Sequence, residues 1–239
     1  MIDRITPTRR PDGKNDGTQK WRDLLFCHWP VSVSALRNVV PNELEIDTFD
    51  GTAYVATVPF KMREIRPSWL PRRLAFDFFE TNVRTYVVHK RRPGVYFMSL
   101  DVSSRMAVWA ARTGWSLPYF FADMSLEKTG DHSIYQSCRP ADKSASHRVC
   151  FSVGKVLGIS KPHTLEHFLF ERYLLFAERR KKIVVGTVHH KPYQVSLANI
   201  QAIDDGLLNA AGIHEANQLP PLAHFSSGVD VEVFGIKPT

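Results

Sequence analysis

The sequence predicts a β-rich α+β fold, in which an antiparallel β-barrel or a highly curved sheet carries a few peripheral helices. Segments with strand-like alternation outnumber segments with helical spacing. They are joined mainly by hairpin signals and not by regular βαβ units, which favours antiparallel pairing. No internal repeat or heptad pattern indicates a solenoid or a coiled coil.

The composition is that of an ordinary folded protein. The chain has 239 residues, of which 44% are hydrophobic and 23% charged, and these values exclude a largely disordered or collagen-like chain. The length fits one large β-rich domain or two smaller ones. Residues 1–18 contain little to bury, so we predict a mobile arm there and a single domain over residues 19–239.

The sequence has no apolar segment of the kind that marks export or membrane insertion. No hydrophobic region follows the basic residues near the amino terminus, and no run approaches ~18 apolar residues. Cys27, Cys138 and Cys150 lie far apart without CxxC spacing, which indicates neither a disulfide framework nor a zinc site. We therefore expect a cytoplasmic protein without a membrane partner.

The chain is basic, with 31 Lys and Arg against 24 Asp and Glu, a net charge of +7. Its isoelectric point is about 9.4, so an anionic partner is worth testing. The basic clusters are separated by apolar segments and mixed with acids, and no nucleic-acid recognition motif accompanies them. We therefore rank nucleic-acid binding below a small-molecule function.

The first elements are predicted from capping and turn signals. A strand-like run begins near Trp21, Ser34 is placed to cap a short helix, and Pro41 is placed to end it. Asp50–Gly51 lies between two alternating runs, which is a strong hairpin signal. An early β-meander is therefore expected.

The centre of the chain predicts a long antiparallel hairpin. Residues 77–90 form one strand, Arg91–Gly94 a turn, and residues 94–104 the returning strand. Residues 106–114 have helical spacing and end in Gly114, a helix-ending residue. A second hairpin turns at Lys128–Asp131.

Further strands and one long helix are predicted in the second half. The helix covers residues 164–179, where apolar side chains recur on one face and basic residues stand at the end. Strand-like patterns occupy residues 147–156, 182–200 and 229–236.

One face of the first central strand is polar, because Glu80, Asn82, Arg84 and Tyr86 alternate with mainly apolar residues. The plain interpretation is an exterior face, but the apolar flanking segments and the polar alternation of the returning strand favour a polar barrel interior or cleft. Four residues on a strand span roughly 13 Å, so Glu80 and Arg84 cannot pair directly. A bound polar ligand is one partner that would satisfy them.

For two further clusters of polar residues, a purely structural role is as good an interpretation as a functional one. Arg112, Tyr119 and Asp123 interrupt an apolar segment in which the aromatic residues could be core and the arginine a surface cap. The helical segment contains Glu171–Tyr173, where the glutamate could be solvated and the tyrosine buried.

The histidines do not predict a metal site. The letters HTLEH at residues 163–167 match the inverzincin pattern, but Pro162 places His163 at the helix entry and no third ligand is identifiable. His189–His190 would point to opposite faces of a strand. The sequence also lacks the GxSxG and phosphate-loop motifs, so we predict neither a metal nor a cofactor.

A combination of segments resembles a known family. The strings FCHWPV, VPNELEIDTFDGTAYVATVPFKM, ETNVRTYV, PGVYFMSLD, LPYFFADM, ERYLL and VHHKPY, within residues 21–200, resemble the YqjF-like family, an uncharacterised bacterial family. That family is similar to the acetoacetate decarboxylase-like superfamily. The resemblance implies a cone-shaped antiparallel β-barrel with a mostly closed internal pocket.

This sequence differs from the acetoacetate decarboxylases at one chemically important position. Acetoacetate decarboxylases form a Schiff base through a lysine that follows a proline, and the comparable residues here are Pro118 and Tyr119. A Schiff base requires an amine, which tyrosine lacks. The resemblance therefore implies no Schiff-base decarboxylase activity, and Glu80, which looks like the superfamily's strand glutamate, is left as a ligand contact or general base.

The sequence thus predicts a pocket for a small anionic or carbonyl-containing ligand. Its expected contacts are Glu80, Asn82, Arg84, Tyr86, Arg112 and Tyr119. Glu80 is the candidate catalytic residue, for lyase-like or hydratase-like acid/base chemistry. The alternative is a non-catalytic regulatory or assembly protein that binds an anionic macromolecule through its basic surface. The oligomeric state, a homo-oligomer included, is left open.

Overall fold

The computed structural model describes residues 2–114, 117–179, 182–216 and 219–239. Strands dominate this part of the chain. They are β1 Gly17–Val31, β2 Glu45–Ile46, β3 Ala53–Pro67, β4 Phe76–His89, β5 Arg92–Val102, β6 Tyr119–Phe121, β7 Asp123–Thr129, β8 His132–Arg139, β9 Asp142–Gly158, β10 Leu174–Arg179, β11 Lys182–His190, β12 Val195–Asp205 and β13 Leu222–Pro238. The helices are α1 Val33–Arg37, α2 Arg105–Gly114, α3 Leu165–Phe170 and α4 Gly206–Ala210.

Seven strands close into a barrel in the order β1-β3-β4-β5-β10-β11-β13, because β13 pairs back onto β1. β12, β9, β8 and β7 continue from β13 as a second curved layer. The predicted β-rich barrel with a few helices is confirmed. Pairing is antiparallel except where β5 meets β10 and β6, which both run parallel to it.

Strand alternation divides the core into two parts. Leu24 and Phe26 of β1 point into the barrel, whereas their neighbours Leu25 and Cys27 pack against the second layer. Each large apolar side chain that is fully buried stabilises the fold by about 1.5–3 kcal/mol. The inner part of this core surrounds the candidate site.

The central hairpin is confirmed, with a different turn. β4 and β5 pair antiparallel from Glu80 to His89, and the chain reverses at Lys90 and Arg91, whose φ angles are 49° and 65°. Two left-handed residues match the twist of a two-residue hairpin. β5 therefore begins at Arg92, inside the segment predicted to be the turn.

The predicted helix over residues 164–179 is wrong beyond its first turns. Thr164 caps α3 by accepting a hydrogen bond from the His167 N–H, and the helix ends at Phe170. Residues from Leu174 onward form β10, which pairs with β11 along its whole length. Long-range pairing overrides local helical spacing, because β10 is needed to join β5 to β11 and close the barrel.

Two early predictions are corrected in detail. Ser32 and not Ser34 caps α1, since its hydroxyl accepts from the Ala35 N–H. Asp50–Gly51 does form a tight turn with positive φ at both residues. The strand before this turn, however, pairs with β4 and not with β3, so no ordinary hairpin surrounds it.

The amino-terminal segment lies along the barrel. Arg4 donates two hydrogen bonds of 2.6 Å to Asp47, and Arg10 pairs with Glu232 of β13 at 2.7 Å. The mobility of residues 1–18 and the single-domain division stay predictions. None of the helices within the described residues has the length and apolar composition that a membrane span requires.

Candidate functional site

A cavity of about 250 Å³ occupies the interior of the barrel. Its volume is near the lower end of the range for small-molecule sites. Its lining is mainly apolar and consists of Gln19, Trp21, Leu24, Val58, Phe60, Met62, Ile65, Phe76, Phe78, Glu80, Asn82, Arg84, Val95, Phe97, Leu100, Ala107, Leu117, Tyr119, Phe170, Arg172, Leu175, Val188, Tyr193 and Val233. Most of these side chains come from strands of the barrel.

The cavity has a partly exposed end and a buried end. Ile65, Phe76 and Phe78 are partly exposed, whereas Arg84 and Phe170 at the other end are buried. β4 runs from the first end to the second. The inner end is closed by α3, whose Leu169 carbonyl accepts a hydrogen bond of 3.3 Å from Arg84.

The polar stripe on β4 faces this cavity. Glu80, Asn82 and Arg84 line it at successive levels, each about 6.6 Å from the next along the strand. The inward polar face predicted for β4 is therefore present, within a cavity whose lining is otherwise mainly apolar. β5 contributes apolar Leu100 opposite Asn82, so the stripe is one strand wide.

Glu80 is buried and held by two donors. The Tyr119 hydroxyl donates to Oε2 at 3.2 Å, and Asn82 Nδ2 approaches Oε1 at 3.4 Å. Burial raises the pKa of Glu80 to about 7, although both hydrogen bonds lower it. A carboxyl group that is half protonated near neutral pH can act as either acid or base.

Arg84 has no carboxylate partner among the described residues. It is 9% exposed, its Nε has no hydrogen-bond partner, and its guanidinium lies over the rings of Phe26 and Tyr86 at 5.4 and 5.9 Å. A buried cation costs free energy unless an anion or polar groups compensate it. The cavity side of Arg84 is therefore where an anion would be stabilised.

Arg172, also at the inner end, has a structural partner. Asp47 accepts from Arg172 at 2.9 Å and from Arg4 at 2.6 Å, and the Phe168 carbonyl accepts from Arg172 Nε at 2.7 Å. Burial lowers the pKa of Arg172 to about 10, still well above neutral. Two cations share one carboxylate here, so this end of the cavity keeps an excess of positive charge.

Buried histidines beside Arg84 are kept neutral. The pKa of His28 is well below its usual value and that of His190 is lowered to about 4, in both cases mainly through burial, with a contribution from the charge of Arg84. The Tyr86 hydroxyl donates to the Leu169 carbonyl at 3.0 Å, so His28 Nε2 donates to Tyr86 at 2.8 Å. The inner end thus receives no competing imidazolium.

The remaining predicted contacts are placed as follows. Tyr119, on β6, lines the cavity. Tyr86 lies on the inward face of β4, where its ring contacts the Arg84 guanidinium. It is not one of the described residues that line the cavity. Arg112 lies in α2, and the structure describes its backbone but not its side chain. Asp123 is exposed at the start of β7.

The polar residues of β5 belong to the opposite face. Ser99 and Asp101 pair with Val83 and Thr81, which alternate with the cavity residues of β4. Asp101 accepts hydrogen bonds of 2.7 to 3.1 Å from Arg139 in the second layer. They therefore contribute to packing between the layers and add nothing to the polar stripe.

The Glu171–Tyr173 cluster is buried and mutually bonded. The Tyr173 hydroxyl and the Tyr193 N–H donate to Glu171 at 2.5 and 3.3 Å. Burial raises the pKa of Glu171. Within the described ranges, no group of three or more His, Cys, Asp or Glu side chains is placed to hold a metal ion.

Tyr193 lines the cavity although the sequence does not predict it as a contact. It follows β11, lies against His190 with ring centroids 4.6 Å apart, and borders the cavity near Phe26. Arg172 also lines the cavity, whereas the sequence predicts it only as part of a helix. Tyr193 and Arg172 reach the cavity through strand pairing between distant segments, and spacing within one segment gives no signal of such pairing.

Comparison with known proteins identifies the family. A family model described as an uncharacterized conserved protein, DUF2071, matches residues 18–230. The chain belongs to this family. It is also 40% identical over 222 residues to the uncharacterized protein YqjF of Bacillus subtilis (strain 168), covering 92% of this chain and 91% of that one. The YqjF-like resemblance is therefore confirmed.

Solved structures share the fold of this DUF2071 chain. The enduracididine biosynthesis enzyme MppR complexed with pyruvate superposes with a TM-score of 0.65 at 13% identity, over 94% of this chain and 91% of that chain. An acetoacetate decarboxylase-like enzyme from Sphingomonas wittichii RW1 gives 0.64 at 10% identity, over 95% and 94%. The acetoacetate decarboxylase-like fold is therefore confirmed, and these neighbours are enzymes.

The cavity of this DUF2071 chain lacks a lysine among its described lining residues. Tyr119, which the resemblance places where the decarboxylases carry their lysine, donates its hydroxyl to Glu80. Burial and the charge of Glu80 hold the pKa of Tyr119 well above its usual value, so the phenol keeps its proton. The described lining therefore offers a proton donor and no amine nucleophile.

Proposed function

We propose that the barrel cavity binds a small anionic, carbonyl-containing ligand and that it supports acid/base chemistry of the lyase or hydratase type without a Schiff base. One observation carries the proposal: Arg84, a buried guanidinium with no carboxylate partner within the described part of the chain, lies in the same mainly apolar cavity as Glu80, whose pKa is about 7. Both features destabilise an empty cavity and favour an occupied one.

Arg84 is the group that binds the anion. A guanidinium presents several N–H donors in a plane and matches the two oxygens of a carboxylate. Its unpartnered Nε and the excess positive charge around Asp47 support this role. Phe26 and Tyr86 hold the guanidinium plane in place.

Glu80, Asn82 and Tyr119 supply the polar chemistry. Tyr119 keeps its proton and can donate to a carbonyl oxygen, and the unpartnered Oδ1 of Asn82 can accept from a ligand hydroxyl. Glu80 can take a proton from a carbon next to a carbonyl, or return one. The lack of a lysine in the described lining supports a mechanism without a covalent imine.

A fold neighbour offers a chemical parallel. The structure of MppR is a complex with pyruvate, which is a small anion with a carbonyl group. At 13% identity this neighbour shares the fold alone with the DUF2071 chain. It supports the proposal only by showing that one such barrel accommodates a ligand of this class.

The test is to identify what the purified protein carries and binds. Mass spectrometry of the supernatant after denaturation, with a thermal-shift screen of keto acids and other carboxylates, should yield a carboxylate that raises the melting temperature. Arg84→Met should abolish the shift, whereas Arg63→Met, at an exposed ion pair with Asp77, should retain it. No shift from any carboxylate in the unsubstituted protein would refute the proposal.

The alternative, binding of an anionic macromolecule through the basic surface, has weaker support. Several surface cations are paired with carboxylates, including Arg63 with Asp77 at 2.7 Å and Arg72 with Glu64 at 2.8 Å. A cation that already has a carboxylate partner neutralises a phosphate less effectively, so its contact releases fewer of the counterions condensed on a nucleic acid. The cytoplasmic location also stays a prediction.

A further inference from the structure

The levels of the cavity differ in polarity, and this difference bears on the ligand. At the level of Asn82 the neighbouring strands place Val58 and Leu100. The level of Asn82 therefore has a polar group on β4 and apolar groups on both neighbouring strands. A ligand at this level would be polar along one edge only.

The outer levels carry no polar group on β4. Beyond Glu80 the strand presents Phe78 and Phe76 to the cavity, and their partners on β3 are Met62 and Ile65. Trp21 and Gln19 of β1 also line the cavity: the Trp21 ring contacts Phe60 with ring centroids 5.8 Å apart, and its N–H donates to the Gln19 side-chain oxygen at 2.8 Å. About 13 Å of strand separates Phe76 from Glu80, so the apolar section is as long as the polar one.

A short keto acid does not match this layout. Pyruvate bound at Arg84 would fill the inner levels and leave the aromatic outer section empty or hydrated. Apolar surface favours apolar contact by about 0.8 kcal/mol for each buried methylene group, so a ligand that reaches the outer levels gains affinity at every step. The polar groups determine the position of its charged end.

We propose that the ligand is an amphipathic oxo acid, with its carboxylate at Arg84, its carbonyl near Asn82 Nδ2, and an apolar chain long enough to cover the roughly 13 Å of strand from Asn82 to Phe78. The proposal rests on the proposed function, since it names the substrate class of the same cavity. It adds a requirement for an apolar tail, which binding of an anion alone does not include.

The test is isothermal titration calorimetry with a series of straight-chain 2-oxo acids from pyruvate to 2-oxododecanoate, whose extended chain covers the roughly 13 Å from Asn82 to Phe78. The dissociation constant should fall by about fourfold for each added methylene group until the outer levels are filled. Equal affinity for pyruvate and 2-oxododecanoate would overturn the tail requirement.

A substitution at the outer level makes the test specific to the cavity. Met62→Trp should weaken 2-oxododecanoate by at least tenfold and leave pyruvate within twofold, because only the longer acid reaches the level of Met62 and Phe78. Equal weakening of both acids would contradict the placement of the tail. If this variant fails to fold, Phe78→Leu enlarges the same level and should shift the best ligand to a longer chain; an unchanged preference would contradict the placement equally.

A neutral ligand separates the two proposals. The amide of 2-oxododecanoic acid has the same tail without the charge, and it should bind at least tenfold more weakly than the acid. If acid and amide bind equally and both gain with chain length, the tail inference stands and the anion site of the proposed function fails. If no acid of any length binds, both fail.

Discussion

Arg84 and Arg172 lie in the same cavity and differ in one respect. Arg172 has Asp47 at 2.9 Å, whereas Arg84 has no carboxylate partner among the described residues. Removing one partner of a buried ion pair leaves the other partner as an uncompensated charge. Removing an unpaired buried cation instead removes an uncompensated charge. The two arginines should therefore respond oppositely to the same substitution.

Arg172→Met should lower the free energy of unfolding by about 3 kcal/mol, toward the lower end for a broken buried pair, because Arg4 still contacts Asp47. Arg84→Met should leave stability unchanged or raised and should weaken carboxylate binding at least tenfold. Urea denaturation and calorimetry of both variants measure these effects. Equal destabilisation by the two substitutions would show that Arg84 has a structural partner.

Glu80 should make stability depend on pH in an unusual direction. Its pKa is about 7 in the folded protein, against the ordinary value of 4.5. Between these values the folded state binds more protons than the unfolded state, so stability falls as the pH rises from about 4.5 to about 7. At about 1.4 kcal/mol per pKa unit, the loss from Glu80 is about 3 kcal/mol.

Glu80→Gln removes this contribution. The variant should be more stable than the unsubstituted protein by up to about 3 kcal/mol at pH 8, while the difference at pH 4 should be small. Urea denaturation at both pH values measures the difference, and other carboxyl groups cancel in the comparison. A difference that does not change with pH would show that the pKa of Glu80 is ordinary.

At the scale of elements, the closure of the barrel depends on a close approach of β5 and β10. These strands pair over two residue pairs, Leu175 with Val95 and Phe176 with Tyr96. A Cβ atom at Gly94 would lie 2.5 Å from the Leu174 carbonyl oxygen and 2.7 Å from a ring carbon of Phe176. The glycine therefore permits the contact that joins the two halves of the barrel.

Gly94→Ala should lower the free energy of unfolding by about 1–3 kcal/mol, because the added methyl group forces β10 away from β5. Gly130→Ala is the matched control, since a Cβ there meets nothing within 4 Å and only the positive φ of 57° opposes it. Chemical denaturation should rank the variant at position 94 as the less stable one. The reverse ranking would contradict the described seam.

The predictable elements were those that local patterns determine. The β4–β5 hairpin and the inward polar stripe follow from alternation, which the pleat converts directly into faces. The sequence predicts a helix where β10 forms, because the apolar residues of this segment fit helical spacing as well as strand alternation. Pairing with β5 and β11 determines that the segment is a strand. The contacts of Arg172 with Asp47 and of Arg4 with Asp47 join distant segments and leave no local signal.

At the scale of the whole molecule, the net charge of +7 is a weak guide to function. Cations on several strands and loops are paired: Lys61 and Lys128 lie 3.0 Å from Asp23, and Lys20 lies 2.6 Å from Glu64. In the proposed function, the charge that binds the ligand is that of Arg84 inside the barrel. Because Arg84 is buried, salt in the solvent screens its charge only slightly.

The protein should therefore show no salt-dependent affinity for nucleic acid. Fluorescence anisotropy with mixed DNA and RNA at low ionic strength should detect no specific binding. Phosphate contacts would instead give an affinity that falls steeply with salt. A steep salt dependence that is retained in the Arg84→Met variant would show that an anionic macromolecule binds at the surface and that the cavity is not needed for it.

The most direct test of the cavity site is a crystal structure with an oxo acid that carries bromine at the end of its chain. The anomalous signal of bromine should lie beside Phe76 and Phe78, with the carboxylate within hydrogen-bond distance of the Arg84 guanidinium. Bromine at the inner end beside Phe170, or an oxo acid bound only on the outer surface of the barrel, would contradict the account.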